Sequence, residues 1–205
     1  MPESLNEVLC ALARCGLLLK QDKRLPSVVT LLAGEPLATS WWSHPQSHRI
    51  FRILCELADH PDVLVTKLLL GKDTLVHRTL WPAFLTVATA GERWQLHGLS
   101  PAARDLLRKV TRAAQPVAAA GQSVKELLAR LLVHAAEVHT ASGAHELALA
   151  SWAGWAQRTG AEPLGSLTSA RAALETAARS LGAPLAALPW HVRLRSRASS
   201  RPLSS

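Results

Sequence analysis

The chain has 205 residues, of which 48% are hydrophobic, and carries a formal net charge of +8. That is enough apolar material for a packed core in one domain or two small ones, and it excludes a chain that is disordered throughout. Apolar runs fall well short of the roughly 20 residues that span a bilayer, and Glu3 and Glu7 stand where a signal peptide would carry basic residues, so a cytoplasmic protein with no membrane contact is expected.

The excess charge is unevenly distributed. Residues 1–112 carry a net +4, residues 113–190 are neutral, and residues 191–205 carry four Arg and no acid. The Ser/Arg segment 191–205 is expected to be a disordered basic tail, and the body is only mildly basic. Tyr is absent and Ala, Leu and Arg are abundant, a composition that fits a GC-rich bacterial genome. Cys10, Cys15 and Cys55 form no C-x-x-C motif, and Cys10 and Cys15 diverge by about 140° on a helix, so buried free thiols in a reducing compartment are expected, with no metal and no cofactor.

In chain order, residues 4–19 predict an amphipathic helix with a Ser4/Glu7 capping box and Leu5, Val8, Leu9, Leu12 and Leu19 on its apolar face. A short helix over about 26–33 ends at Gly34 and Pro36, and a loop leads to Trp41 and Trp42. Ser43 or His44 is positioned to cap a helix over 45–59. Its apolar face is Ile50, Leu54 and Leu57, widened by Phe51 and Ala58, and its polar stripe is Arg49, Arg52, Glu56 and Asp59. The period then changes. Residues 63–70 and 74–78 read as a hairpin closed by Gly71-Lys72-Asp73.

A helix follows at about 81–90. Another, capped by Ser100 with Pro101 in its first turn, reaches about 113 and aligns Arg104, Arg108 and Arg112 on one side. PVAAAGQS (116–123) reads as a linker. Beyond it, helices are expected over 124–139, about 144–159, and after a cap at Ser166 or Thr168. No internal repeat is evident. The expected organisation is an N-terminal unit over 1–114, a helical unit over 115–190 and the tail.

Three groups of residues look like chemistry. His134, Glu137, His139 and His145 resemble a metal-ligand run, but on the expected helix only His134 and Glu137 meet, so no metal site is assigned. Trp41 and Trp42 stand with His44, His48, His60 and His77: either the tryptophans pack the loop onto the core, with His44 near a helix cap and His60 ending the helix, or Trp42, His44 and His77 line a cleft between loop and hairpin in which a base could stack or a histidine could act as acid or base. Lys67, Lys72 and Arg78 make the hairpin basic.

The order of two short helices, a third helix and a hairpin is similar to a winged helix-turn-helix. That resemblance implies that Gln46, Ser47, Arg49 and Arg52 face the major groove and that Lys67, Lys72 and Arg78 meet phosphates. The connection into the third helix, about ten residues, is longer than the usual three or four. SWWSHPQSHRIFRILCELADHPDVLVTKLLLGKDTLVHRTLWPAFL, together with LLVHAAEVHTASGAHELALASWAGWA, also resembles an uncharacterised bacterial family placed near the winged-helix DNA glycosylases of crosslink repair. No catalytic motif of those glycosylases accompanies the resemblance.

The expected fold is therefore mainly α with one small antiparallel β-hairpin, a winged-helix-like N-terminal unit and a C-terminal helical unit. The expected function is nucleic-acid binding, most simply DNA. It would use Gln46, Ser47, Arg49, Arg52, Lys67, Lys72, Arg78, Arg104, Arg108 and Arg112, with Trp41 and Trp42 as stacking groups. One alternative is a nucleic-acid-processing enzyme drawing on His44, His77, Glu137 and His139. Another is a helical protein-interaction module, with a protein partner or a second copy of the chain, marked by an exposed patch at Trp94, Trp152 or Trp155.

Overall fold

Gly16 decides the first turn of the fold. In the computed structural model, which describes residues 3–37, 39–139 and 145–191, helix α1 (Glu3–Cys15) stops there instead of running to residue 19. Gly16 has a φ of 75°, and a Cβ on it would lie 2.7 Å from Leu80 Cδ1, so both its conformation and its surroundings favour glycine. The next three leucines become strand β1 (Leu17–Leu19), buried along its whole length. Of the expected capping box, the Ser4 side chain lies outside the described residues, and α1 begins one residue ahead of it.

Helix α2 (Val28–Ala33) is capped by the Ser27 hydroxyl and closed by Gly34 at a φ of 83°. A 3-10 turn at Trp41–Ser43 precedes α3 (Ser47–Ala58), which buries Ile50, Ile53 and Leu57. Strands β2 (Val63–Thr66) and β3 (Thr74–His77) pair antiparallel, and β1 adds to the far side of β3 with Leu17 opposite Val76 and Leu19 opposite Thr74. The result is a three-stranded sheet in the order β1-β3-β2, larger than the single hairpin expected.

The first hairpin strand ends at Thr66, short of Leu70. Leu68 and Leu69 turn into the core, and the Thr74 hydroxyl accepts the Leu69 N–H. The Leu70 N–H donates to the Ala187 carbonyl, which ties the tip of the hairpin to the C-terminal part of the chain.

Helix α4 (Trp81–Ala88), the short α5 (Arg93–Leu96) and α6 (Pro101–Arg112) follow. Ser100 caps α6 as its sequence predicts. The continuous helices expected beyond residue 116 are replaced by β4 (Val117–Ala119), α7 (Gln122–Ala129), β5 (His134–His139) and β6 (His145–Ala150). These strands form a second antiparallel sheet in the order β4-β6-β5. The protein is thus mainly helical with two small three-stranded antiparallel sheets, and residues 115–190 are not all helical.

A non-glycine helix stop explains the difference. Leu131 adopts a φ of 53°, the Leu132 N–H bonds the Leu127 carbonyl, and the Leu131 N–H bonds the Leu128 carbonyl. This is the double bond of a Schellman end, usually built on glycine. Leu131 is held there by complete burial and by the Trp152 indole N–H donating to its carbonyl at 2.7 Å. Without a glycine at that position, the pattern through LLARLLVHAAEVH reads as one helix.

Helices α8 (Trp152–Thr159) and α9 (Leu167–Ser180) complete the chain, with Ser151 and Ser166 as caps. Two hydrophobic clusters result. The larger joins α1 to α4 and the first sheet to Leu131, Trp152, Trp155 and α9. The smaller gathers Leu99, Ala103, Val110, Val124, Leu127, Val133 and Leu149. The segment 191–205 expected to be a tail lies, from residue 192, outside the described residues.

The two sheets share a plan that the amino-acid sequence does not display as a repeat. Helix, strand, helix and hairpin follow one another in each, and in each the first strand pairs with the last. The copies differ in one element. The first places α3 between its second helix and its hairpin, whereas the second passes from α7 to β5 without a helix.

Candidate nucleic-acid interface

Helix α3 presents the most distinctive surface. The Ile50, Ile53 and Leu57 face is buried, which turns His48, Arg49, Phe51, Arg52 and Cys55 outward. The basic groups lie in its first half, and Glu56 and Asp59 lie at its far end. Gln46 and Ser47 open the helix, and Arg49 Nη1 donates to Gln46 Oε1 at 2.9 Å. Arg52 approaches Glu56 only at 3.7 Å and stays largely in solvent.

Phe51 does not widen the buried face. It stands 100° round the helix from Ile50 and is 41% exposed. Trp42, on the preceding 3-10 turn, is 61% exposed and lies 5.4 Å from Phe51 between ring centroids. Trp41 is buried and stacks on Trp42 at 4.0 Å. Of the two tryptophans expected to stack a ligand, only Trp42 offers a free face. Trp41 anchors it.

The hairpin's basic residues already hold carboxylates. Lys67 pairs with Asp73 at 2.7 Å, Lys72 with Asp22 at 2.7 Å and Arg78 with Asp62 at 3.0 Å. Burial opposes ionisation of Asp22, but the Lys72 ammonium and the N–H groups of Arg24 and Leu25 outweigh it and bring its pKa down to about 2. On α6, Arg108 pairs with Asp105, Arg104 Nε donates to the Leu99 carbonyl, and Arg112 is exposed in the last turn.

Three of the four histidines of the 41–82 stretch, His44, His60 and His77, serve local structure. Nδ1 of His44 accepts the Gln46 N–H, Nδ1 of His60 accepts the Asp62 N–H, and Nδ1 of His77 accepts the Thr79 N–H while meeting its hydroxyl. Each ring closes a turn two residues ahead of itself. Burial, helped by Arg78 and His60 and opposed by Asp62, lowers the His77 pKa, which favours the acceptor form of the ring.

Strand geometry also replaces the helical reading of His134 and Glu137. Three residues apart on β5, they point to opposite faces, so the pair expected to meet does not. His134 packs on the rings of Trp152 and Trp155, and burial with the nearby Arg158 charge lowers its pKa to about 4. Glu137 is exposed. Burial first and Asp59 second raise the Cys55 thiol, and Glu137 adds to that rise, so β5 comes within electrostatic reach of α3. The His139 side chain lies outside the described residues, although its backbone pairs with His145. Among the described residues no group of three or more His, Cys, Asp or Glu could hold a metal ion.

Trp152 and Trp155 are buried, and Trp94 is half-buried with its indole N–H on Glu92. The exposed aromatic patch lies instead at Trp42 and Phe51. The sequence reading missed Phe51 by assigning it to the core, and it missed Lys20, which only the fold carries to the hairpin. Comparison with family models, with curated proteins and with solved structures finds no match to this chain.

Proposed function

We propose that the protein binds nucleic acid through the outward side of α3, in the manner of a winged helix-turn-helix. The observation that carries this reading is the order α1-β1-α2-α3-β2-β3 folded with the sheet order β1-β3-β2. That arrangement leaves the third helix on the surface, and its first half bears Gln46, Ser47, Arg49 and Arg52 without a carboxylate. Arg49 and Arg52 serve for base edges or phosphates, and Gln46 and Ser47 supply polar contacts at the helix start.

The hairpin contributes less than a free wing would. Its tip is tied to Ala187 and its cations are paired, so Lys67, Lys72 and Arg78 act as backbone contacts only by exchanging a carboxylate for a phosphate. The Lys67 and Arg78 pairs are partly exposed and weak, which makes the exchange inexpensive there, whereas the buried Asp22 holds Lys72 more firmly. Arg104, Arg108 and Arg112 on α6 extend the same role as outlying phosphate contacts.

Fluorescence anisotropy with a 20-base-pair duplex at several salt concentrations tests the reading. Affinity is expected to fall steeply with salt, and Arg49→Ala with Arg52→Ala is expected to weaken binding about tenfold or more. Absence of binding at low salt, or an unchanged affinity in the double variant, would overturn it.

A second reading has its own observation. Trp42 and Phe51 form an exposed aromatic pair on the same helix, and such a pair also suits a protein partner.

A further inference from the structure

Beside α3 lies an open cleft of about 320 Å³, lined by Lys20, Gln21, Trp41, Lys67, Lys72 and Asp73 together with Gly71. Three lysines line it from separate parts of the chain. Lys20 follows β1, whereas Lys67 and Lys72 stand at the two ends of the hairpin turn. We infer that this cleft binds a backbone phosphate of single-stranded nucleic acid while Trp42 stacks the adjoining base. The inference rests on the nucleic-acid reading above and names its substrate class.

The cleft is preorganised for an anion. Asp22 is turned inward, its side chain only 7% exposed, with one oxygen taken by the Arg24 and Leu25 N–H groups and the other by Lys72. It therefore fixes Lys72 at the rim without presenting its own charge to the opening. Asp73 holds Lys67 at 2.7 Å from a half-buried position on the lining of the cleft, so its charge offsets part of the positive potential there. Each ammonium has three N–H donors, and the paired carboxylate uses one of them. Lys20 is in no ion pair among the described residues.

The aromatic half of the site adjoins the cationic half. Trp41 forms one wall of the cleft, Trp42 stacks on it at 4.0 Å, and Phe51 follows at 5.4 Å. A cationic cleft with an exposed ring stacked on its Trp41 wall matches a strand whose bases are unpaired, because stacking needs a free base face and a duplex buries that face. Lysine ammonium groups at such a site act as point charges and read no sequence.

The experiment compares a labelled 12-nucleotide single strand with a 12-base-pair duplex, using anisotropy at low and moderate salt. The proteins are the full chain and its Lys20→Glu, Lys20→Met and Trp42→Ala variants, with melting temperatures as the control for folding. Single-strand binding is expected to weaken about tenfold in Lys20→Glu and Trp42→Ala. In Lys20→Met the salt slope should fall by about 0.7, the value for one phosphate contact on a single strand. Duplex affinity should change by less than about twofold.

Single-strand affinity that is unchanged in all three variants would overturn the cleft. If Arg49→Ala with Arg52→Ala still weakens duplex binding, the α3 interface survives that outcome. Binding of neither nucleic acid, including the case in which Trp42→Ala instead disrupts self-association or a protein complex, removes both.

Discussion

The two sheets share one topology but bury it differently. Around β1-β3-β2, the first has two more helices, α8 and α9, contributed from the far end of the chain, and nearly all its large apolar residues are enclosed. Around β4-β6-β5, the second has α6 and α7 alone, and much of its cluster is half-buried, including Leu106, Leu107, Leu128 and Leu147. The first also keeps a third helix whose outer face no other element needs for packing. A surface helix that a core does not consume is free to acquire a binding role, and the richly covered copy is the one that has it. The sparsely covered copy is expected to be the less stable part of the molecule.

The largest effect should come from the residue that joins the two. Trp152 lies edge-on to Phe84 at 4.8 Å in the first core and donates its indole N–H to Leu131 at the helix stop that begins the second hairpin. Trp152→Ala removes a buried aromatic and orphans a carbonyl, at a cost of about 4 kcal/mol. Urea unfolding should show a lower midpoint, and hydrogen exchange should show β5 opening before β1. Equal loss of protection in both sheets would mean that the copies are a single cooperative unit.

Acid should separate them next. His134 has a folded pKa of about 4, below its ordinary value near 6.5, so the unfolded chain binds the proton first. Stability is complete above about pH 6.5 and falls as pH is lowered towards 4, by roughly 3 kcal/mol from this group. Asp22 acts lower. Its contribution is present above pH 3.8 and is lost as pH falls towards about 2, by roughly 2 kcal/mol. Melting temperature measured against pH should therefore fall in two windows, one from the second sheet and one from the first. His134→Leu should flatten only the upper window, and a profile unchanged by that substitution would disprove the assignment.

The contrast between the copies bears on what the amino-acid sequence reveals. The α3 region was legible in its body because its signals are local, an apolar face and then a change of period at Val63, but its start was not: the helix begins at Ser47 with Gln46 at the cap position, past the start expected at Pro45 with Ser43 or His44 as cap. The cap at Ser100 was legible for the same reason. The second sheet was not, because what ends α7 is a leucine forced into the left-handed region by burial and by an indole twenty-one residues away. Ala135 and Ala136 suit a helix as well as a strand, and the rings of Trp152 and Trp155 that His134 packs on lie too far along the chain for spacing to pair them. Lys20 carries no local sign of its place beside the hairpin, since β1 reaches the hairpin through pairing with β3. The ion pairs that restrain Lys67, Lys72 and Arg78 join residues that spacing alone cannot match, most clearly Lys72 and Asp22, fifty residues apart.

Arg130 offers a smaller perturbation confined to the joint between the copies. Its Nη1 donates to the carbonyls of Trp94, Gln95 and His97, closing the end of α5. Arg130→Met keeps the stem and removes the three bonds, with an expected cost of about 2 kcal/mol. Because α5 lies between the clusters, this loss should appear as earlier exchange of the α5 and α7 amides with α3 unaffected. A matching loss in α3 would contradict the separation.

The smallest effect gives the most direct comparison, because each copy has a serine cap. Ser27 caps α2 through the Thr30 N–H at 3.2 Å, and its hydroxyl also meets the Thr30 hydroxyl. Ser100 caps α6 through the Ala103 N–H at 3.1 Å and also donates from its hydroxyl to Glu126 on α7. Burial opposes the Glu126 charge, but both Ser100 groups and the nearby Arg130 and Arg104 outweigh it and hold its pKa low. Ser27→Ala should cost about 1 kcal/mol, the usual value of a lost cap. Ser100→Ala should cost somewhat more, because it also removes a donor from a carboxylate that links α6 to α7. If the second copy unfolds on its own, however, global unfolding will register Ser27→Ala in full and Ser100→Ala hardly at all. Only hydrogen exchange of α6 will then report the loss. The ratio of the two costs, measured globally and locally, therefore decides whether the shared topology is also a shared unit of stability.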